Sequence, residues 1–140
     1  MNMGISVMLD KGAKMPQKAH WTDAGYDLFA LGDYVVPAHG RTWIETGVHI
    51  AIPVGCYGAV TSKSGLMGKK GLTCEGTIDS DYRGSIKAIV FNHTDEDYEF
   101  KDGDKVTQLI ICAHNMEKLV EVDSLDDTVR GTGGFGSTGK

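Results

Sequence analysis

Val106-Thr-Gln-Leu-Ile-Ile-Cys112 is the stretch whose reading decides the fold. Its apolar and β-branched residues sit on successive positions rather than alternate ones, the pattern of a strand that avoids water on both faces. Ile86-Lys-Ala-Ile-Val-Phe91 reads the same way. Strands of this kind suit the inside of a sandwich or barrel better than a solvated sheet. Working outward, Ile5–Leu9, Tyr34–Val36, Thr42–Glu45, Val48–Ile52, Tyr57–Ser62, Ser85–Asn92, Val106–Ala113 and Lys118–Val122 are short apolar or alternating runs between turn residues, and each predicts a strand. No segment sustains a helical repeat for three turns, so helix is limited to a turn or two around Gly65–Lys69. Glycine at 19 of 140 residues is roughly twice average usage, which fits many tight turns. The class is all-β: a distorted jelly roll or β-sandwich-like barrel, with at most one short helix and a flexible C-terminal arm.

A chain of 140 residues with 41% hydrophobic content forms one domain able to bury its own core. Residues 1–129 are read as that domain and residues 130–140 as the arm. Cys56, Cys74 and Cys112 are an odd number with no close pair, so they read as buried thiols in a reducing compartment rather than a disulfide framework or a metal site. No stretch reaches membrane-spanning length, and the N-terminal residues lack a basic segment followed by a long apolar run. The expectation is a cytoplasmic protein with no membrane partner. A net charge of −5 without a basic block argues against direct nucleic-acid binding, yet leaves room for a small phosphorylated ligand held by local cations.

Those cations frame the tail, Arg130-Gly-Thr-Gly-Gly-Phe-Gly-Ser-Thr-Gly-Lys140. Its glycines let backbone approach a ligand, and Arg130, Lys140 and the hydroxyls of Ser137 and Thr138 can bind phosphate oxygens. Gly131-x-Gly133-x-x-Gly136 matches a dinucleotide fingerprint and Gly134-x-x-x-x-Gly139-Lys140 matches most of a P-loop. Both patterns need a helix to follow, and the chain ends at Lys140. Composition alone favours a disordered tail; Phe135, an aromatic group among glycines, favours a segment that stacks on a partner.

Polar residues interrupt the strands at four further places. Asp79, between Ile78 and the turn Ser80-Asp-Tyr82-Arg-Gly84, is either a general base or a maker of turn hydrogen bonds. Asp27 lies inside the apolar run around Tyr26–Ala30. Thr61-Ser-Lys63-Ser64-Gly65 ends a strand in hydroxyls, a cation and a glycine suited to phosphate. Gln108 places an amide in the middle of the fold-deciding strand, where it must find partners.

Taken in order, Ala24-Gly-Tyr-Asp27-Leu28, Ser62-Lys63-Ser64-Gly65-Leu66, Gly76-Thr-Ile78-Asp79-Ser-Asp-Tyr82-Arg-Gly84, Gly103-Asp-Lys-Val-Thr-Gln108-Leu-Ile110 and Arg130-Gly-Thr-Gly-Gly-Phe135-Gly136-Ser137-Thr138-Gly139 closely resemble the five ordered motifs of the trimeric dUTP diphosphatases. The resemblance runs from about Ala24 to Lys140. It implies hydrolysis of dUTP to dUMP and pyrophosphate by water attack on the α-phosphorus with Mg²⁺, which limits uracil in DNA and supplies dUMP for dTMP synthesis. It also implies a homotrimer in which each arm closes over a site built by other subunits.

Roles follow from the resemblance, position by position. Asp79 would orient and deprotonate the water. Tyr82 would pack on the deoxyribose and leave no space for a 2′-hydroxyl. The turn and strand from about Gly71 to Ile78, with Gly76 and Ile78 at its end, would read uracil through the main chain, and cytosine would leave buried groups unpaired there. Lys63, Ser64, Gly65 and Gln108 would share the phosphates, with Ser64 near the bridging oxygen that leaves. Asp27 would hold Mg²⁺ through water. Arg130 would pair with the γ-phosphate, Phe135 would stack over uracil, and Gly136, Ser137 and Thr138 would close on the phosphates.

One departure matters. The family's second motif usually carries Arg where this chain has Lys63, which keeps the charge and loses the planar fork. Thr73-Cys74-Glu75 does not match the family residue by residue. His20, His39, His49, His93 and His114 form no metal-spaced set and read as surface groups, and Trp21 and Trp43 read as packing residues. Asp95-Glu-Asp97 and Asp126-Asp127 read as solvated loops. Two rivals share the fold: a dCTP deaminase relative, and a protein of this family with an added role in binding a regulatory protein.

Overall fold

The computed structural model describes residues 3–136 and 139. Alternation of inward and outward side chains builds its sheet. In β6 (Cys56–Thr61) Gly58 and Val60 are buried, and in β8 (Lys87–Asn92) Ala88, Val90 and Asn92 are buried while Lys87 and Phe91 face outward. These strands join β2 (Tyr26–Phe29), β4 (Arg41–Glu45), β7 (Leu72–Ile78) and β10 (Lys105–Ala113) in one antiparallel sheet of order β2-β10-β6-β7-β8-β4. Two small ribbons complete it, β1 (Val7–Leu9) with β5 (Val48–Ile50) and β3 (Tyr34–Val36) with β9 (Tyr98–Phe100). The sheet curls into a half-barrel of jelly-roll type. Leu28, Val36, Ile44, Leu72, Phe100 and Leu109 lie at the centre of the core it encloses.

A single helix occurs among the described residues, α1 (Ser64–Lys70), between β6 and β7. It buries no residue and stops at Gly71, whose φ of 65° permits the left-handed cap that returns its N–H to Leu66. This is the turn or two of helix expected around Gly65–Lys69.

β10 carries the geometry on which the site depends. A bulge between Lys105 and Thr107 breaks the alternation, so Val106 and Thr107 are both buried. Beyond it, Gln108 stands opposite Asp27 of β2 on one side and Thr61 of β6 on the other. Asn92, also buried, donates to the carbonyls of Val36 (3.0 Å) and Glu96 (2.7 Å) and accepts from Thr94, which pins the acidic loop after β8.

Four expectations need correction. Lys118–Val122 is not a strand: it pairs with no other strand among the described residues, and Leu119, Val120 and Val122 are exposed. β-propensity cannot make a strand without a ladder partner. The strands read as apolar on both faces bury only one within this chain, since Trp43, Phe91 and part of Ile89 look outward. A curled single sheet has only one concave side to fill. Of the three free cysteines only Cys74 is buried; burial raises its thiol pKa, which keeps it protonated and inert. Finally, β2, β7 and β9 lie outside the strands read from pattern, because a mid-strand acid, a glycine and a length of three residues hide them.

Candidate active site

Two clusters form at opposite ends of the β6–β7 hairpin. The first gathers around Asp27, which is only 8% exposed. Its carboxylate binds the ammonium of Lys63 through Oδ1 and that of Lys105 through Oδ2 at 3.4 Å. An acid this buried has to be paired, and two lysines around one carboxylate leave the group with net positive charge. Gln108 joins it from β10, its Nε2 donating to the Ser62 carbonyl at 3.0 Å. Gly25 lies against the Gln108 side chain so closely that a Cβ there would stand 3.1 Å from Cδ. This explains a glycine just ahead of Tyr26-Asp27 without any need for positive φ.

The start of α1 is held by the same network. Ser62 Oγ accepts from the Cys74 amide at 2.9 Å, and Thr107 Oγ1 donates to the Thr61 carbonyl at 2.6 Å. Lys63, Ser64 and Gly65 therefore leave the sheet from a fixed point, with Ser64 and Gly65 exposed. Nothing lies within 4 Å of where a Gly65 Cβ would be, so open space faces this corner.

The second cluster sits past the other end of β7. Asp79 follows Ile78 and is exposed; its carbonyl accepts from the Tyr82 amide at 3.2 Å, closing a tight turn. Tyr82 Oη donates to the Ser85 carbonyl at 2.9 Å, which fixes the ring. Asp79 and Tyr82 line a depression of about 230 Å³ with Trp43, Thr77, Ile78, Ser85, Lys87 and Ile89. Trp43, 61% exposed, is thus a wall of this pocket rather than a packing residue. Pattern could not find it, because β4 reaches the pocket only through its pairing of Trp43 with Ile89 on β8. Gly76, opposite Val60, and Ile78, opposite Gly58, lie on the strand leading in.

The two clusters do not meet within one chain. Ser62 is bonded to Cys74, and Asp79 lies five positions beyond Cys74, roughly 16 Å away at about 3.3 Å per residue of strand. The third part, the arm, bonds only locally among the described residues: Arg130 Nε donates to the Gly133 carbonyl at 2.7 Å, and Gly131 N to Thr128 Oγ1, just ahead of the arm, at 3.0 Å. Phe135 has φ 52° and Gly136 φ 83°, a left-handed pair that thrusts a fully exposed ring outward. Ser137 and Thr138 lie outside the described residues.

Fold and site together define a jelly-roll-like β protein that keeps a cationic, amide-lined corner apart from a carboxylate-and-tyrosine pocket. Residues 11–139 match the dUTPase family, and the chain belongs to it. It is similar to the deoxyuridine 5′-triphosphate nucleotidohydrolases of Arabidopsis thaliana (47% identical over 132 residues, 94% of this chain and 80% of that protein) and Candida albicans (44% over 130 residues, 91% and 82%). Among solved structures it resembles the Staphylococcus bacteriophage 80alpha dUTPase with dUPNHPP, with TM-score 0.93 and 29% identity over 99% of this chain and 100% of that one. It also resembles a D95N dUTPase from phage phi11 of S. aureus, described for its coordination of a structural Mg(II) ion, with TM-score 0.81 and 29% identity over 86% and 97% of the two chains. Among the described residues no helix is long and apolar enough to cross a membrane.

Proposed function

We propose that this chain is a dUTP diphosphatase, hydrolysing dUTP to dUMP and pyrophosphate. The observation that carries the reading is the convergence of three separated segments on one corner: Asp27 of β2, Lys63 ahead of α1 and Gln108 of β10. They belong to three of the motifs that resemble the family's, and only the fold brings them together. In this reading Lys63, Ser64, Gly65 and Gln108 take the triphosphate. Asp79 removes a proton from the attacking water as its oxygen bonds to the α-phosphorus. The bond from that phosphorus to the bridging oxygen then breaks, and pyrophosphate leaves with the electron pair. Ser64 donates to the oxygen on which charge develops. Tyr82 packs on the deoxyribose, and the main chain of Gly76–Ile78 reads the uracil edge.

A base must come within one water of the phosphorus it serves. The separation of Asp79 from Ser64 along β7 therefore supports assembly of the site from more than one copy, as a homotrimer. The uncovered apolar groups of this chain agree: Phe91 on the sheet, and Leu119, Val120, Val122 and Val129 in the segment before the arm. In that assembly Arg130 pairs with the γ-phosphate, Phe135 stacks over uracil, and Gly136, Ser137 and Thr138 close the lid. To do so Arg130 exchanges its bond to the Gly133 carbonyl for the phosphate. Three free cysteines suit a reducing compartment such as the cytoplasm.

The donor set fits Mg²⁺ only as a companion of the triphosphate. Asp27 is a lone carboxylate between two lysines, and no cluster of three or more His, Cys, Asp or Glu capable of holding a metal occurs among the described residues. When bound, Mg²⁺ would neutralise phosphate charge while keeping most of its waters. Lys63 and Lys105 would swing to the phosphates, which frees Asp27 to hold one of those waters.

The test is a panel of dUTP, UTP, dCTP and dTTP with pyrophosphate release as readout, and ammonia release from dCTP as the control for a deaminase. Turnover confined to dUTP is expected. Comparable turnover of UTP would remove the role given to Tyr82, and ammonia from dCTP would move the chain to the rival class.

A further inference from the structure

We propose that His49 is a positioning residue for the turn that carries Asp79 and Tyr82, holding it through the Arg83 carbonyl while Asp10 anchors the far side of the ring. The inference rests on the dUTP diphosphatase reading and adds a residue outside its five motifs. His49 lies on β5, distant in sequence from the turn. Its Nδ1 is 2.7 Å from the Arg83 carbonyl oxygen and its Nε2 is 3.0 Å from Asp10 Oδ1. The side chain is 19% exposed, so it is not the surface group that its isolation in the sequence suggests.

Both partners are acceptors. A neutral imidazole donates through one nitrogen only, so keeping both bonds requires a proton on each. The Arg83 carbonyl raises the His49 pKa, with the Asp10 and Glu45 carboxylates adding to it against the opposing effect of burial. Glu45 is itself engaged, accepting from the Thr46 and Gly47 amides and standing 3.6 Å from Lys87, which leaves Asp10 as the direct counter-ion. The Arg83 guanidinium folds away onto the carbonyls of Ser80 and Tyr82 and does not compete for the site.

The turn has little else to hold it. Among the described residues its own bonds run between Tyr82 and Asp79, Tyr82 and Ser85, and Arg83 and Ser80. The bond from His49 is the one that ties residues 79–84 to another strand. Beyond the turn, the Ile86 amide donates to Val48 on the same β5, so the ring and the backbone of one strand clamp one side of the turn together. Losing the ring's bond would free Arg83 and its neighbour Tyr82, and with them the position of Asp79.

The sign of the pH dependence follows. A histidine whose folded pKa is raised is fully protonated below its ordinary value of about 6.5. It loses the second proton as pH climbs through the higher folded value, so the clamp weakens on the alkaline side.

The experiment is steady-state dUTP hydrolysis from pH 6 to 9.5 for wild type, His49→Phe, His49→Gln and Asp10→Asn, with ¹⁵N amide shifts of residues 79–84 followed over the same range. His49→Phe should lower kcat/KM about tenfold, the scale of one lost positioning hydrogen bond. His49→Gln keeps one donor for the Arg83 carbonyl, so it should recover most of that loss and remove the alkaline fall. Asp10→Asn should move the fall to lower pH. In wild type the Tyr82 and Arg83 amide shifts should titrate with His49. Wild-type rates and pH profile in His49→Phe would overturn the inference, as would equal losses in both His49 variants with the alkaline fall intact. Amide shifts of the turn that ignore His49 titration would overturn it even if dUTP is not the substrate. An inactive wild type would instead count against the proposed function.

Discussion

The two ends of the β6–β7 hairpin are built on opposite principles. At one end Asp27 is buried, paired with two lysines and backed by Gln108 and Ser62; at the other Asp79 is exposed on a turn. The first arrangement is part of the protein's own structure and, in the proposed function, would reach the triphosphate only by trading partners. The second costs the fold almost nothing and waits for its surroundings. Buried charges have to pair with one another, whereas a carboxylate exposed on a turn needs no partner from the fold.

The comparison can be broken most sharply at Asp79. Asp79→Asn should lower kcat by about 10²–10⁴-fold, the usual contribution of a general base, with thermal unfolding unchanged because the side chain supports nothing else. A shift in unfolding together with the rate would show that the exposed end is structural after all. Deletion of residues 130–140 should cost about 10²-fold in turnover while leaving unfolding and assembly intact, as measured by calorimetry and sedimentation. Asp27→Ala should act at the other end on stability as well as rate. Leaving two lysines without their carboxylate should cost about 2 kcal/mol, below the figure for a fully buried pair because the lysines are partly exposed. Denaturant midpoints check this, and an unchanged midpoint would erase the contrast. Lys63→Arg restores the planar fork at the phosphates and should lower KM for dUTP several-fold with kcat little changed. Trp43→Phe gives the smallest effect: dUMP binding should change the fluorescence of the wild type and not of the variant, since Trp43 lines the pocket and Trp21 does not.

Much of this was legible in the chain. The all-β class followed from Val106–Cys112 and Ile86–Phe91, and the turn or two of helix around Gly65–Lys69 matches α1. Asp27, Lys63, Gln108 and Asp79 stood out because each interrupts an apolar pattern. Trp43 and His49 did not, because their importance comes from neighbours distant in sequence: Ile89 across the sheet for one, Arg83 and Asp10 in loops for the other. Lys118–Val122 fails for the converse reason, since it has the composition of a strand and no ladder partner among the described residues.

The sequence by itself determined the alphabet of the site: which side chains can carry charge, donate a hydrogen bond or stack, and in what order they occur. Local chemistry is enough for that, since charge, hydroxyl and backbone freedom belong to single residues. Only the tertiary structure decided who meets whom. The bulge in β10 turns Gln108 toward Asp27 and Thr61, and the length of β7 holds Asp79 away from Lys63. Register and strand length act over tens of residues, where pattern in the chain has no reach.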